Sequence, residues 1–263
     1  MFATFFKMSR QPFAETMPTA NILSDERMTQ GLARLQYMAQ YATIAMLTGE
    51  EGVGKSTLLK LFIHWLSQNH YHSVYLHLTN LKESGLLRLL VSSLGEMPAR
   101  CKEKAFLQVL AKTKDKDVTT VVVIDEAHLL SSEALVDLRL LVSGALDERP
   151  GLKIVLSGHP NLKKELKRSC HNALRQRIAV NYSLAALTQS QTHHYIDYHL
   201  KSAGTSVKIF DDQVKTSIHD YARGVPRIIN SIATACLINA AVSNVQIVTP
   251  LLLSQSLDEI QGL

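Results

Sequence analysis

Apolar residues recur along this chain in two rhythms. Residues 43–47 form a short apolar run ending in Thr48-Gly49. Beyond the glycines, Leu58, Leu59, Leu61, Phe62, Trp65 and Leu66 repeat at the three-to-four spacing of a helix face, which predicts strand, glycine loop, helix. Residues 73–78 read as a second strand. A helix marked by Leu86, Leu87, Leu89, Leu90 and Leu94 follows, and another covers 103–112. The β-branched run 118–124 has the continuous apolar character of a strand covered on both faces of a parallel sheet, and it runs straight into Asp125-Glu126. Ser131 or Ser132 can then cap a helix carrying Leu135, Leu138 and Leu141, with Glu133 favourably placed in its first turn. After the turn signal Glu148-Arg149-Pro150-Gly151, the strand 153–156 ends at Ser157-Gly158-His159-Pro160, and a last strand lies near 179–184.

Strands alternating with helices predict an α/β fold, a five-stranded parallel sheet covered by helices with its functional loops at the strands' carboxyl ends. From about residue 186 the pattern is helical only: 188–203, 211–222, 226–242 and 250–260, punctuated by Gly204 and Gly224. The expected division is therefore an α/β domain over 1–185 and a small all-α domain over 186–263.

Composition narrows the class. At 263 residues and 46% hydrophobic content the chain can fill one substantial core and a smaller one. Against 23 Asp+Glu stand 28 Lys+Arg, a formal charge of +5, which favours a polyanion such as nucleic acid or simply solvates the surface. Cys101, Cys170 and Cys236 are odd in number, far apart and outside metal-ligand spacing, so neither a disulfide framework nor a zinc site is expected, and a reducing cytoplasm fits. Residues 1–7 lack the pattern of a signal peptide. The apolar stretch 233–242 is too short to span a bilayer, so no membrane association is expected.

Chemistry concentrates in Gly49-Glu50-Glu51-Gly52-Val53-Gly54-Lys55-Ser56. This is the Gly-x4-Gly-Lys-Ser spacing of a P-loop, where glycines let backbone N–H groups reach phosphate oxygens and the following helix points its positive end at them. Lys55 can bridge the β- and γ-phosphates of ATP. The Ser56 hydroxyl, with Thr57 beside it, opens the helix where Mg2+ would be ligated. Glu50, Glu51 and Val53 occupy the motif's variable positions. About 70 residues on, the apolar run ending in Asp125-Glu126 matches a Walker B strand. Asp125 is the expected Mg2+ ligand and Glu126 the base that deprotonates the attacking water. The letters Asp125-Glu126-Ala127-His128 match the DEAH box of helicases, but those need two such lobes and this chain has room for one.

With these motifs in view, the sequence resembles the AAA+ ATPases of the ExeA/GspA-like group, which is similar in turn to ATP-dependent regulators of DNA transposition of the TnsC, TniB, MuB and IstB types. The resemblance starts at Phe6-Lys7-Met8-Ser9-Arg10-Gln11-Pro12-Phe13 and passes through both Walker motifs. It continues at Leu156-Ser157-Gly158-His159-Pro160-Asn161-Leu162 and ends at Gly224-Val225-Pro226-Arg227-Ile228-Ile229-Asn230. It implies a P-loop AAA+ core followed by an all-α lid. It also implies a sensor 1 at His159, where the family more often has Gln and where a plain turn residue is the alternative. By the same resemblance Arg227 is a sensor 2, and an arginine finger falls at Arg177 or its neighbour Arg175. A finger serving the next subunit implies a homo-oligomer, either a ring or a helical filament.

The resemblance leads to an ATP-hydrolysing regulator of transposition that binds duplex DNA without sequence preference and acts on a transposase. Lys163, Lys164, Lys167, Arg168, Arg175 and Arg177, against the single acid Glu165, could face DNA or a neighbouring subunit, or form a solvated face. Arg100, Lys102 and Lys104 form a second cluster. Two alternatives stand beside it: a secretion-assembly ATPase of the ExeA/GspA kind, and a loader or adaptor using ATP only as a switch. ExeA proteins carry a transmembrane helix and a cell-wall-binding region after the ATPase, and neither is found up to Leu263.

Overall fold

Five apolar runs pair side by side in a computed structural model that describes residues 2–14, 17–78, 85–114, 118–143, 151–205 and 207–261. They are β1 (Ile44–Thr48), β2 (His72–His77), β3 (Thr120–Asp125), β4 (Leu152–Gly158) and β5 (Ile178–Ser183). Among the described residues they form one sheet in the order β2-β3-β4-β1-β5, and every neighbouring pair is parallel. β1, β3 and β4 are buried at every position, as continuous apolar runs require in the middle of a sheet covered on both faces. β2 sits at one edge and alternates between buried and exposed. Of the expected turn at 148–151, all but Gly151 lies outside the described residues.

The helices, in chain order, are α1 (Phe2–Phe5), α2 (Glu26–Tyr41), α3 (Lys55–Gln68), α4 (Gly85–Ser93), α5 (Lys102–Lys112), α6 (Ser132–Ser143), α7 (Asn161–Leu166) and α8 (Asn172–Arg175). Then come α9 (Gln189–Ser202), α10 (Asp212–Ala222), α11 (Pro226–Val242) and α12 (Pro250–Gln261). Their starts follow local chemistry. Ser131 Oγ accepts the Ala134 N–H at the head of α6, Thr188 and Gln191 form a reciprocal capping box on α9, and Pro226 takes the first position of α11.

Contacts divide the chain into two compact units. One holds residues 26–50 and 55–184, the sheet with α2 to α8. Its α2 is a helix that the apolar pattern did not mark. Gly31 breaks the run, and it is glycine because a Cβ there would stand 2.6 Å from Leu58 and 2.8 Å from Tyr182. Lys153, buried on β4, donates to the carbonyls of Met38 at 3.4 Å and Ala39 at 2.5 Å, two acceptors in the last turn of α2.

The other unit holds residues 1–25, 51–54 and 185–263. The expected division placed 1–185 together, whereas the first 25 residues and the tip of the glycine loop group with the helices. The reason is burial. Phe2, Phe6, Met8 and Phe13 share a core with Leu187, Ile196, Leu200 and Ile229, and each large apolar side chain contributes about 1.5–3 kcal/mol on burial. The segment also supplies the donors that finish α9: Ser9 N–H to Ala203 O at 2.8 Å and Arg10 Nε to Ser202 O at 2.7 Å. His199 Nδ1 meets Pro12 O at 2.7 Å.

Candidate active site

Because all five strands run parallel, their carboxyl ends share one edge of the sheet, and the strand order decides which ends are neighbours. β1 delivers the glycine loop and β3 delivers Asp125-Glu126, with β4 lying between the two strands. Gly49 N–H donates to Gly158 O at 3.3 Å, tying the start of the loop to the end of β4.

Asp125 is the focus of the edge. It is 1% exposed, and its two oxygens accept four hydrogen bonds. Oδ2 takes Ser56 Oγ at 3.2 Å and the Tyr75 hydroxyl at 2.9 Å, while Oδ1 takes Ser157 Oγ at 2.9 Å and the Glu126 N–H at 3.0 Å. The pairing of Ser56 with Asp125 brings the two expected Mg2+ ligands within reach of one ion. Among the described residues no cluster of three or more His, Cys, Asp or Glu could hold a metal. Mg2+ bound beside a nucleotide uses one carboxylate or two and takes its other oxygens from phosphate and water. Tyr75 and Ser157 were not singled out in the sequence. Burial, and then the Asp125 carboxylate beside it, push the Tyr75 hydroxyl well above the usual tyrosine range, so it stays a donor.

Lys55 is buried, and its Nζ donates to the loop carbonyls of Gly49 at 2.8 Å and Glu50 at 3.0 Å. An ammonium has three protons, so one remains for a phosphate oxygen. Gly52 and Gly54 adopt φ of 75° and 107°, which side chains with a Cβ rarely tolerate. Within the helical unit a Cβ on Gly52 would also stand 2.8 Å from the Arg227 Cβ and 2.9 Å from Val225, and Arg227 N–H donates to Gly52 O at 3.2 Å. Arg227 is otherwise exposed, while Val53 is buried and Glu51 faces solvent. Thr57 lies half-buried in the first turn of α3.

Glu126 follows Asp125 in the left-handed conformation, φ 56° and ψ 35°, and its carboxylate lies 3.3 Å from His128 Nδ1. His159 is committed on both nitrogens. Nδ1 accepts the Asn161 N–H at 3.3 Å, and Nε2 lies 3.0 Å from Glu50 Oε2. Glu50, a variable position of the loop motif, thus reaches the end of β4. Arg175 and Arg177 are exposed, at the last residue of α8 and immediately before β5.

With this geometry established, the family match is direct: residues 38–166 fit the AAA domain model. The chain carries the AAA domain of a P-loop ATPase. This ATPase is 29% identical over 248 residues to general secretion pathway protein A of Aeromonas hydrophila, a match that covers 91% of the chain and 45% of that protein. It therefore spans just under half the length of that relative.

In fold the ATPase is similar to the ADP form of the Aeropyrum pernix ORC2 protein. The TM-score is 0.70 at 14% identity, covering 95% of this chain and 72% of that one. It is also similar to Drosophila ORC bound to DNA, with a TM-score of 0.71 at 16% identity, covering 98% and 65%. At such identities the likeness is one of fold alone. No helix among the described residues is long and apolar enough to cross a membrane.

Proposed function

We propose that this ATPase hydrolyses ATP to drive the assembly of a general secretion machinery. The observation that carries this reading is the match to general secretion pathway protein A across 91% of the chain.

The reaction follows from the residues at the sheet edge. Loop N–H groups and Lys55 hold the triphosphate. Ser56 and Asp125 would hold Mg2+, which would supply positive charge against the negative charge of the triphosphate. Glu126 takes a proton from water as its oxygen attacks the γ-phosphorus, and the bond from that phosphorus to the bridging oxygen breaks, so ADP departs with the electron pair. Arg227, whose N–H is bonded to Gly52 within the same unit, is the sensor 2 arginine of this reading. Arg177, or Arg175 beside it, reaches the γ-phosphate of a neighbouring copy in a ring or filament, and His159 fixes Glu50 against the end of β4.

In cells that make this chain, replacing it with Glu126→Gln should leave its abundance unchanged and trap secreted proteins inside. Undiminished export would overturn the secretion reading.

A second reading keeps the same chemistry but makes the ATPase a regulator of transposition that assembles on duplex DNA and acts on a transposase. One observation favours it. Lys164, Lys167, Arg168, Arg175 and Arg177 are exposed within one short stretch with Lys163 half-buried, and the acid among them, Glu165, is already bonded to Arg168 and to Ser132. Duplex binding that rises with a non-hydrolysable ATP analogue and falls with salt would support it. No binding at low salt with the analogue would remove it.

A further inference from the structure

The left-handed backbone at Glu126 is unusual for a residue with a Cβ and persists only where its surroundings hold it. Two hydrogen bonds do so: the Glu126 N–H donates to Asp125 Oδ1 at 3.0 Å, and its carbonyl accepts the Leu129 N–H at 2.9 Å. The chain then enters a 3-10 turn, Ala127–Leu129, that lies hard against the end of β4. A Cβ on Gly158 would stand 3.2 Å from both the backbone nitrogen and Nδ1 of His128, so the missing side chain at Gly158 lets the His128 ring settle there.

The ring settles between two groups of opposite demand. His128 Nδ1 accepts the backbone N–H of His159 at 3.4 Å, and the same nitrogen lies 3.3 Å from Glu126 Oε2. An imidazole nitrogen carries either a lone pair or a hydrogen. With a lone pair it accepts from His159 N–H, and having no hydrogen to offer it repels the Glu126 carboxylate beside it. With a hydrogen it binds the carboxylate, and the His159 amide loses its acceptor. The two contacts are alternatives.

We propose that His128 is a positioning residue for hydrolysis: its Nδ1 holds the Glu126 carboxylate in one hydrogen-bonding state and releases it to the attacking water in the other. The proposal rests on the reading of Glu126 as the general base. The titratable groups facing His128 are Glu126 on its own turn and His159, whose ring centroid is 5.9 Å away. Glu50 acts on it through His159 Nε2. Holding requires a hydrogen on Nδ1, so added protons favour holding and hydrolysis rises with pH.

The test is kcat and KM for ATP hydrolysis across about pH 5 to 8, the range in which histidines change charge. It compares wild type with His128→Asn, His128→Phe, His159→Gln and Glu126→Gln. Wild-type kcat should rise severalfold across the window. Both His128 variants should be flat, with KM within about twofold of wild type, because His128 touches the base and not the phosphate loop. Phe keeps a ring against Gly158, so a folding failure of the Asn variant leaves the test intact. His159→Gln retains the backbone N–H and should keep the slope whatever its rate.

A flat wild-type profile, or a slope that survives in both His128 variants, overturns the proposal. Wild-type turnover by Glu126→Gln would instead remove the general-base reading on which it stands.

Discussion

Tyr75 on the edge strand donates its phenolic hydrogen to Asp125 Oδ2 at 2.9 Å, the same oxygen that takes Ser56 Oγ at 3.2 Å. A metal ligated by Ser56 and Asp125 must therefore compete with a tyrosine that keeps its proton. Tyr75→Phe should lower the Mg2+ concentration for half-maximal hydrolysis by about threefold to tenfold, the equivalent of roughly 1 kcal/mol of hydrogen bond. A Mg2+ titration of phosphate release checks this, and an unchanged midpoint would mean that Asp125 Oδ2 is not where the metal binds.

The general-base reading makes a sharp split between binding and turnover. Glu126→Gln should keep nucleotide affinity while hydrolysis falls by about a hundredfold or more. Lys55→Ala should lose affinity, because its ammonium, held by two loop carbonyls, is the group with a hydrogen left for a phosphate oxygen. Labelled-nucleotide binding and phosphate release measure the two. Equal near-zero rates in wild type and Glu126→Gln would point to a switch that uses ATP without turning it over.

Acidification should loosen the helical unit. Burial, above all, lowers the pKa of His199, and nearby Arg10 lowers it further against the opposing bond to Pro12 O. A depressed folded value means the unfolded chain takes up the proton more readily. The stabilisation is complete above the ordinary histidine value, about 6.5, and is lost as pH falls towards the folded value. Melting temperature measured from neutral pH downward should drop below that point in wild type, and the drop should shrink in His199→Gln. Parallel curves would assign the acid sensitivity elsewhere.

Gly224 has a φ of 70°, and a Cβ there would lie 2.0 Å from Leu187 O. Leu187 N–H is bonded to Gly224 O at 2.8 Å, so the two backbones cannot part without losing that bond. Gly224→Ala should destabilise the helical unit by about 2–3 kcal/mol, read as a fall in its unfolding midpoint. A shift under about 0.5 kcal/mol would show that the turn relaxes freely.

Much of the architecture is written in local patterns. The run at 118–124 reads as a buried strand because its sheet position demands apolar residues on both faces, and β3 occupies Thr120–Asp125. The helix expected over 226–242 is α11 with the same bounds, since Pro226 starts it and apolar periodicity carries it. α2 escaped notice because Gly31 interrupts its pattern for a reason 27 residues away in sequence, the Leu58 side chain. Nothing local shows that Phe6 and Phe13 belong with Ile196 and Ile229.

The active-site edge divides the same way. Asp125 and Lys55 stand in spaced motifs, whereas Tyr75 and Ser157 are ordinary strand residues. Their signal lies in register: Tyr75 pairs with Val123, two residues before Asp125, so both point to one face of the sheet.

The grouping of residues 1–25 with residues 185–263 has a consequence during synthesis. A ribosome adding about 5–20 residues per second takes on the order of ten to thirty seconds to make the residues in between. Through that interval Phe2, Phe6, Met8 and Phe13 have no partner core. The sheet can close behind them before the helices that bury them have been made.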